Sequence, residues 1–170
     1  MVERGLGAEE AGYSGVVDVG IVLVSLFNNP LRNDAVEFIG EVLSRKNLAA
    51  IPTSTFLGAY HIATRYLNCP KDLVASEIKE TLNLSSPAFV EDASIEIVKD
   101  AVDIAMAYNI ESWDGYLVSM ARNFKAPVIY SLDEGFRKIS DISLVMPFSR
   151  EKVEEYHNWV RSLLTQGEGA

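Results

Sequence analysis

The chain has 170 residues, of which 48% are hydrophobic and 23% are charged. At roughly 100–200 residues per domain, this length favours one compact domain, and the composition excludes a disordered or low-complexity chain. Lys and Arg number 15 against 24 Asp and Glu, which gives a net charge of −9 and argues against a broad basic surface laid along a nucleic-acid backbone.

The two ends of the chain differ in composition from its middle. Residues 1–14 are rich in Gly, Ala and Glu, so we predict a disordered lead-in there, a domain over 15–165 and a tail over 166–170. The single Cys69 cannot form an intramolecular disulfide, which favours a reducing compartment. The longest apolar run, 19–27, is too short to span a bilayer, so we predict a soluble cytoplasmic protein.

Short apolar runs alternate with helical patterns, which is typical of β-α units around a mostly parallel sheet. Strands are predicted over 15–18, 48–51, 88–90, 127–131 and 143–146. Helices are predicted over 21–27, 33–46, 53–67, 71–82, 92–108, 113–124, 133–139 and 149–164. The elements together predict a single-domain α/β protein, a three-layer α/β/α sandwich.

Periodicity and capping preferences also predict how individual helices begin and which side they bury. Asn33 is the expected cap of the second helix, and Ser112 is the expected cap of the helix over 113–124. The inward residues expected in the helix over 92–108 are Val98, Ala101, Val102 and Ala105. The buried stripe expected in the helix over 113–124 consists of Trp113, Tyr116, Leu117, Met120, Ala121 and Phe124.

Three aspartates occupy the positions where an open α/β sheet binds ligands. Asp18 ends the first strand, Asp133 follows the strand over 127–131, and Asp114 lies in the first turn of a helix. Each alone is explained as a helix cap, but three carboxylates at one rim repel each other unless a cation bridges them. Oxygen ligands suit magnesium or manganese, and such an ion activates water and stabilises phosphoryl charge. The pattern predicts the site of a metal-dependent nuclease or phosphatase.

These motifs resemble those of the PIN domain family, as found in VapC-type toxins. The resemblance is carried, in order and spacing, by residues 16–18, 112–121 and 128–136. It implies a small α/β/α sandwich that cleaves RNA with Mg²⁺ or Mn²⁺ as cofactor. It also implies that Asp18, Asp114 and Asp133 are the catalytic, metal-binding residues, and that Ser131 supports the last of them.

Two positions depart from the family pattern. The family usually has a Glu early in the third helix, where this chain has Gly58, and Asn or Ser two residues after the first Asp, where it has Gly20. The metal would therefore have one charged ligand and one polar support fewer. Gly58 either leaves room for water or substrate beside the metal, or allows another backbone to approach.

Other polar residues are weaker candidates. Arg65 and His61 share a helical face with Gly58, so either could bind a substrate phosphate, or both could be ordinary exposed side chains. His157 has no partner at ligand spacing and is expected to be solvated. Cys69 is expected to be a loop or core thiol rather than a nucleophile.

The leading hypothesis is a PIN-like ribonuclease that acts on single-stranded RNA and leaves a 5′-phosphate and a 3′-hydroxyl. The resemblance further implies the toxin of a toxin–antitoxin pair, with a small antitoxin protein as partner and a homodimer as assembly. The alternative is a catalytically impaired PIN-fold protein that binds a protein or RNA partner, which Gly58, Gly20 and the acidic surface indicate. A phosphatase or DNA nuclease would use the same ligands.

Overall fold

The computed structural model describes residues 12–91 and 93–167, with side chains to residue 165. Its strands are β1 Val16–Val17, β2 Ile51–Pro52, β3 Phe89–Val90, β4 Val128–Tyr130 and β5 Ser143–Val145. Its helices are α1 Val19–Ser25, α2 Arg32–Leu43, α3 Ser54–Arg65, α4 Lys71–Asn83, α5 Ile95–Tyr108, α6 Ser112–Asn123 and α7 Arg150–Gly167, with a 3-10 helix at Glu134–Lys138. The predicted alternation of strands and helices is therefore present.

Every strand pair is parallel. β1 pairs with β4, β4 with β5, and β2 with β3. A parallel bridge between Val16 and Ala50 places β2 beside β1, which gives the order β3-β2-β1-β4-β5. The chain thus builds outward from β1 on one side, and then returns with β4 to the other side. Ligands of open α/β sheets bind at such a reversal, which here lies between the carboxyl ends of β1 and β4.

Two hydrophobic cores lie on opposite faces of this sheet. Successive side chains of a strand point to opposite faces, so the fully buried Val16 and Val17 join different cores. The core that contains Val17 packs α1, α2, α3 and α7, whereas the core that contains Val16 packs α5 and α6. Helices therefore cover both faces, and the predicted three-layer α/β/α sandwich is confirmed.

Some element boundaries differ from the predicted ones. α5 begins at Ile95, where the side chain of Ser94 accepts a hydrogen bond from the Ile97 amide; Asp92, the predicted start, lies outside the described residues. α7 continues to Gly167, two residues into the predicted tail. Residues 1–11 of the predicted lead-in also lie outside the described part of the chain. None of the described helices is long and apolar enough to cross a bilayer.

Both predicted caps are wrong by one or two residues. Asn33 lies inside α2, because the turn before this helix is fixed by Asn29, whose Oδ1 accepts a hydrogen bond from the Leu31 amide at 2.9 Å. Ser112 is the first residue of α6, because the extended residue before the helix is Glu111. Glu111 is extended, as cap residues usually are, whereas Leu31 is helical, and neither side chain makes a capping hydrogen bond.

The buried face of α5 also differs from the predicted one. Val98 and Val102 were expected inward, but they are 47% and 56% exposed, and the sheet-facing residues are Ala101 and Ile104. A Cβ atom at Gly115 would lie 2.2 Å from the Ala101 carbonyl oxygen, so the absence of a side chain there allows α5 and α6 to pack backbone to backbone. Ala101, the α5 residue at this contact, is accordingly buried.

Candidate functional site

Asp18 lies at the reversal of strand order, directly between β1 and α1. Its amide donates a hydrogen bond to the Tyr130 carbonyl at 2.9 Å, which ties the end of β1 to β4. Its side chain is only 8% exposed. Because α1 begins at the next residue, the strand-to-helix turn directs the carboxylate to the carboxyl edge of the sheet.

Ser131 connects the first and the last of the three aspartates. Its fully buried hydroxyl donates a hydrogen bond to Asp18 Oδ2 at 2.5 Å and accepts one from the Asp133 amide at 2.9 Å. The sequence analysis predicted support of Asp133 alone. The link to Asp18 joins residues 113 positions apart in the chain, so no local pattern could have revealed it.

Asp133 is the exposed member of the group. It precedes the 3-10 helix, and its Oδ1 accepts a hydrogen bond from the Gly135 amide at 2.7 Å. It therefore has the capping role that its position suggests, and it also lies beside Asp18, since the charge of Asp133 contributes to raising the pKa of Asp18. A capping role and a place in the acidic group coexist.

Asp114 lies half-buried in the first turn of α6. Burial raises its pKa from 3.8 to about 7, and the negative charges of Asp18, Asp133 and Glu111 add to the increase. Burial also raises the pKa of Asp18, against the opposing effect of the Ser131 hydrogen bond. The structure thus brings the three predicted aspartates close enough for their charges to interact.

Among residues 12–91 and 93–165, no positive side chain forms an ion pair with this negative charge. The five ion pairs between described residues involve none of the three aspartates. Their carboxylate oxygens suit magnesium or manganese in donor chemistry. No group of three or more His, Cys, Asp or Glu side chains within 12–91 and 93–167 is arranged to hold a metal ion. One carboxylate oxygen of Asp18 accepts a hydrogen bond from Ser131, and one of Asp133 accepts a hydrogen bond from Gly135.

Gly58, where the family usually has an acid, is enclosed by apolar side chains. A Cβ atom there would lie 3.3 Å from both methyl groups of Val19 and 3.9 Å from the ring of Trp113. Val19, the residue that follows Asp18, therefore packs against Gly58 and brings α1 into contact with α3. The neighbours are side chains, so the interpretation that another backbone approaches Gly58 is wrong, and the interpretation that Gly58 leaves room for water or substrate stays a prediction.

Gly20, the second departure, faces the carboxylate of Asp18. A Cβ atom at this position would lie 3.7 Å from Asp18 Oδ2, which is an ordinary contact distance. No side chain therefore stands between α1 and the carboxylate at this point. The structure has room for the polar residue that the family usually places there.

The two basic candidates on α3 lie away from the aspartates. α3 begins at the carboxyl edge of the sheet, and Arg65 is its last residue, about 16 Å farther along the helix axis than Ser54 at a rise of about 1.5 Å per residue. His61 is exposed and its ring contacts Tyr66 edge-on, with centroids 5.7 Å apart. The structure does not bring either residue to the aspartate group.

α7 contributes residues that the sequence analysis missed. Residues of α1, the β4 end and α7 line an open cleft next to Asp18: Asp18, Gly20, Leu132, Asp133, Glu134, Tyr156 and His157. His157 was expected to be solvated without a role, and it is indeed exposed, but it lies at the rim of this cleft. No sequence signal could have located it, because its position depends on how the last helix returns across the domain.

Comparison with known proteins gives a family match and a similar fold. A family model, PIN domain, matches residues 16–142, a span that contains all three aspartates and ends before α7. No curated protein matches the chain. A solved structure, a toxin-antitoxin complex from Klebsiella pneumoniae, is similar in fold, with a TM-score of 0.55 and 19% identity over 80% of this chain and 99% of that chain. Since the family match covers most of the sequence, the chain belongs to the PIN domain family.

Proposed function

We propose that the protein is a divalent-metal-dependent ribonuclease that cleaves single-stranded RNA. PIN domains are in general nucleases, and the observation that carries the proposal is the group of three aspartates where the strand order reverses. Burial raises the pKa of both Asp18 and Asp114, and neighbouring carboxylates add to it, while no described ion pair neutralises the group. A bound divalent cation would remove this repulsion.

The proposed roles follow from the positions of the side chains. Asp18, Asp114 and Asp133 would hold magnesium or manganese through carboxylate oxygens. Because the described side chains are not arranged around a common ion, binding would require them to turn toward it. Such an ion, when bound, activates water and stabilises the negative charge on a phosphoryl group. Ser131 orients the Asp18 carboxylate and anchors the backbone of Asp133, so one hydroxyl connects both aspartates.

The second candidate function is binding of a protein or RNA partner without catalysis. The packing of Val19 against Gly58 favours it, because apolar contact occupies the position at which the family usually has a fourth acid. The two candidates differ in one requirement: a nuclease must bind a divalent cation at the aspartates, whereas a binding protein does not need one.

The deciding experiment measures cleavage and metal binding together. Protein treated with EDTA is incubated with end-labelled single-stranded RNA and MnCl₂, and manganese binding is measured by calorimetry. Asp18→Asn and Asp114→Asn are the test variants, and Asp103→Asn, an exposed aspartate of α5, is the matched control. We expect cleavage that leaves 5′-phosphates, reduced about a hundredfold or more in both test variants and unchanged in the control.

Each other outcome assigns a different function. Manganese binding without cleavage would favour the protein that acts by binding. Equal cleavage of single-stranded DNA would contradict the assignment of RNA as substrate. Wild-type protein that neither binds manganese nor cuts RNA would contradict the enzyme function altogether.

We propose further that the protein is the toxin of a toxin–antitoxin pair, acts in the cytoplasm and is bound by a small antitoxin protein. Support comes from its PIN fold and from the likeness of that fold to a chain of a toxin-antitoxin complex. Expression of this chain in bacteria should inhibit their growth, and the Asp18→Asn variant should not inhibit it. Growth that is unaffected by an active nuclease would contradict the toxin role.

The proposed assembly is a homodimer formed through α5. Four side chains spaced three or four residues apart on this helix are 47–77% exposed and form one apolar stripe: Ile95, Val98, Val102 and Met106. Beside the stripe lies a mainly apolar cavity of about 330 Å³ whose walls include Val98, Val102 and Trp113. We propose that side chains of each stripe enter the cavity of a second copy related by a two-fold axis.

A further inference from the structure

The helix that follows the family match supplies a histidine to the cleft of the aspartates. The match ends at residue 142, whereas α7 begins at Arg150. From this helix, His157 lines the cleft together with Asp18, Gly20 and Asp133. The α7 side of the cleft therefore lies outside the segment that matches the family model.

His157 projects from a helix that is firmly attached to the domain. The preceding Tyr156 is 7% exposed, and the two rings lie 5.9 Å apart at an angle of 48°. Val153 is 5% exposed in the same core. Lys152 Nζ contacts both carboxylate oxygens of Asp34 on α2 at 2.7 Å. These contacts fix α7 along the cleft, and the exposed His157 lies on the side of this helix that faces it.

The other ionisable side chains of the cleft are unsuited to contact a phosphate. Asp18, Asp133 and Glu134 carry negative charge and accept hydrogen bonds. The phenol of Tyr156 is buried, and burial raises its pKa to about 12. Among the described residues that line the cleft, His157 is the one exposed side chain with a nitrogen donor. Its imidazole has an N–H group in either protonation state.

We propose that His157 is a substrate-binding residue that donates a hydrogen bond to an RNA phosphate beside the aspartate group. This inference rests on the proposed function in that it takes single-stranded RNA as the substrate. The phosphodiester backbone must pass through a cleft whose floor is acidic, and a donor at the rim holds one phosphate while the aspartates act on a neighbouring bond. His157 thus sets the register of the strand rather than taking part in bond cleavage.

The test separates hydrogen bonding from ring packing. His157→Phe keeps an aromatic ring beside Tyr156 but has no donor, His157→Gln restores a neutral N–H donor, and Asn158→Ala is a matched exposed change on the next residue. The full chain is titrated into a fluorescent single-stranded RNA with CaCl₂ replacing MnCl₂, and the RNA is checked for intactness afterwards. Cleavage with MnCl₂ then gives KM and kcat separately.

We expect His157→Phe to weaken RNA binding about tenfold, as for the loss of one hydrogen bond to a charged group, and to raise KM by a similar factor with kcat unchanged. His157→Gln should recover part of the affinity, and Asn158→Ala should behave as wild type. Wild-type affinity in His157→Phe, or no RNA binding by the wild-type chain, would overturn the inference. If the wild-type chain binds RNA without cutting it and His157→Phe binds more weakly, the nuclease function fails while the inference holds.

Discussion

The hydroxyl group of Ser131 joins two of the aspartates through hydrogen bonds. We expect Ser131→Ala to lower the free energy of unfolding by about 1–3 kcal/mol, because it leaves the buried Asp18 carboxyl without its donor and the Asp133 amide without its acceptor. The measurement is urea unfolding at neutral pH without divalent ions. Ser119→Ala is the control, since this serine is 3% exposed and its side chain makes no hydrogen bond to described residues. Equal losses in both variants would contradict the role of Ser131.

Asp114 makes stability depend on pH. Its pKa is 3.8 as an ordinary side chain and about 7 in the folded protein, so the folded state binds more protons between these values. The free energy of unfolding therefore falls as pH rises through this window, by about 1–2 kcal/mol once solvent screening of a half-exposed group is allowed for. Asp114→Asn should be the more stable protein at pH 8 in EDTA and should differ little near pH 4.

Urea unfolding of the wild-type protein and Asp114→Asn between pH 4 and pH 8 shows whether the free energy of unfolding falls as pH rises. Asp103→Asn, which removes an exposed carboxyl from α5, should keep the wild-type slope. A loss of stability in Asp114→Asn at pH 8 would mean that Asp114 acts only as a favourable charge at the start of α6. Asp18 should add to the wild-type slope, because its pKa is also raised.

The sequence predicted where three aspartates lie more completely than it predicted their contacts. Asp18, Asp114 and Asp133 were found because each follows a strand or begins a helix, which is local information. The hydrogen bond from Ser131 to Asp18 and the filling of Gly58 by Val19 are contacts between distant segments. Their existence depends on how close two elements pack, which periodicity does not specify.

At the scale of elements, two glycines inside helices have opposite expected responses to substitution. A Cβ atom at Gly115 would lie 2.2 Å from the Ala101 carbonyl oxygen, so Gly115→Ala forces α5 and α6 apart and should cost about 2–4 kcal/mol. Gly40 in α2 is exposed with nothing within 4 Å, so Gly40→Ala should gain about 0.5–1 kcal/mol. Thermal and urea unfolding of both variants measure the difference, and a similar effect in both would contradict the close α5–α6 contact.

The elements themselves were largely predictable, and the α5 face shows where prediction failed. Alternation of apolar runs located all five strands and the helices, because the period of a segment is set by its own residues. α5 carries apolar residues on two sides, and those that face inward are Ala101, at the close contact with Gly115, and Ile104. Val98 and Val102 are consequently left outside.

The exposed apolar stripe of α5 is the surface through which we expect two molecules to associate. A copy with a net charge of −9 repels another copy at long range, so association needs a contact that gains from burying apolar surface. The stripe of α5 offers such a surface, with Met106 77% and Ile95 70% exposed. Burial of these side chains against a second copy would remove them from water, whereas a monomer leaves them solvated.

The expected result is a wild-type dimer and a largely monomeric Val102→Lys in sedimentation velocity experiments. A lysine in the centre of the stripe brings an unpaired charge into an apolar contact, which should weaken dimerisation about a hundredfold or more. Leu84→Lys is the matched control, because Leu84 is 65% exposed but follows α4 instead of lying on α5. A wild-type monomer, or a dimer that both lysine variants leave intact, would contradict assembly through α5, since neither result is compatible with the stripe being buried between two copies.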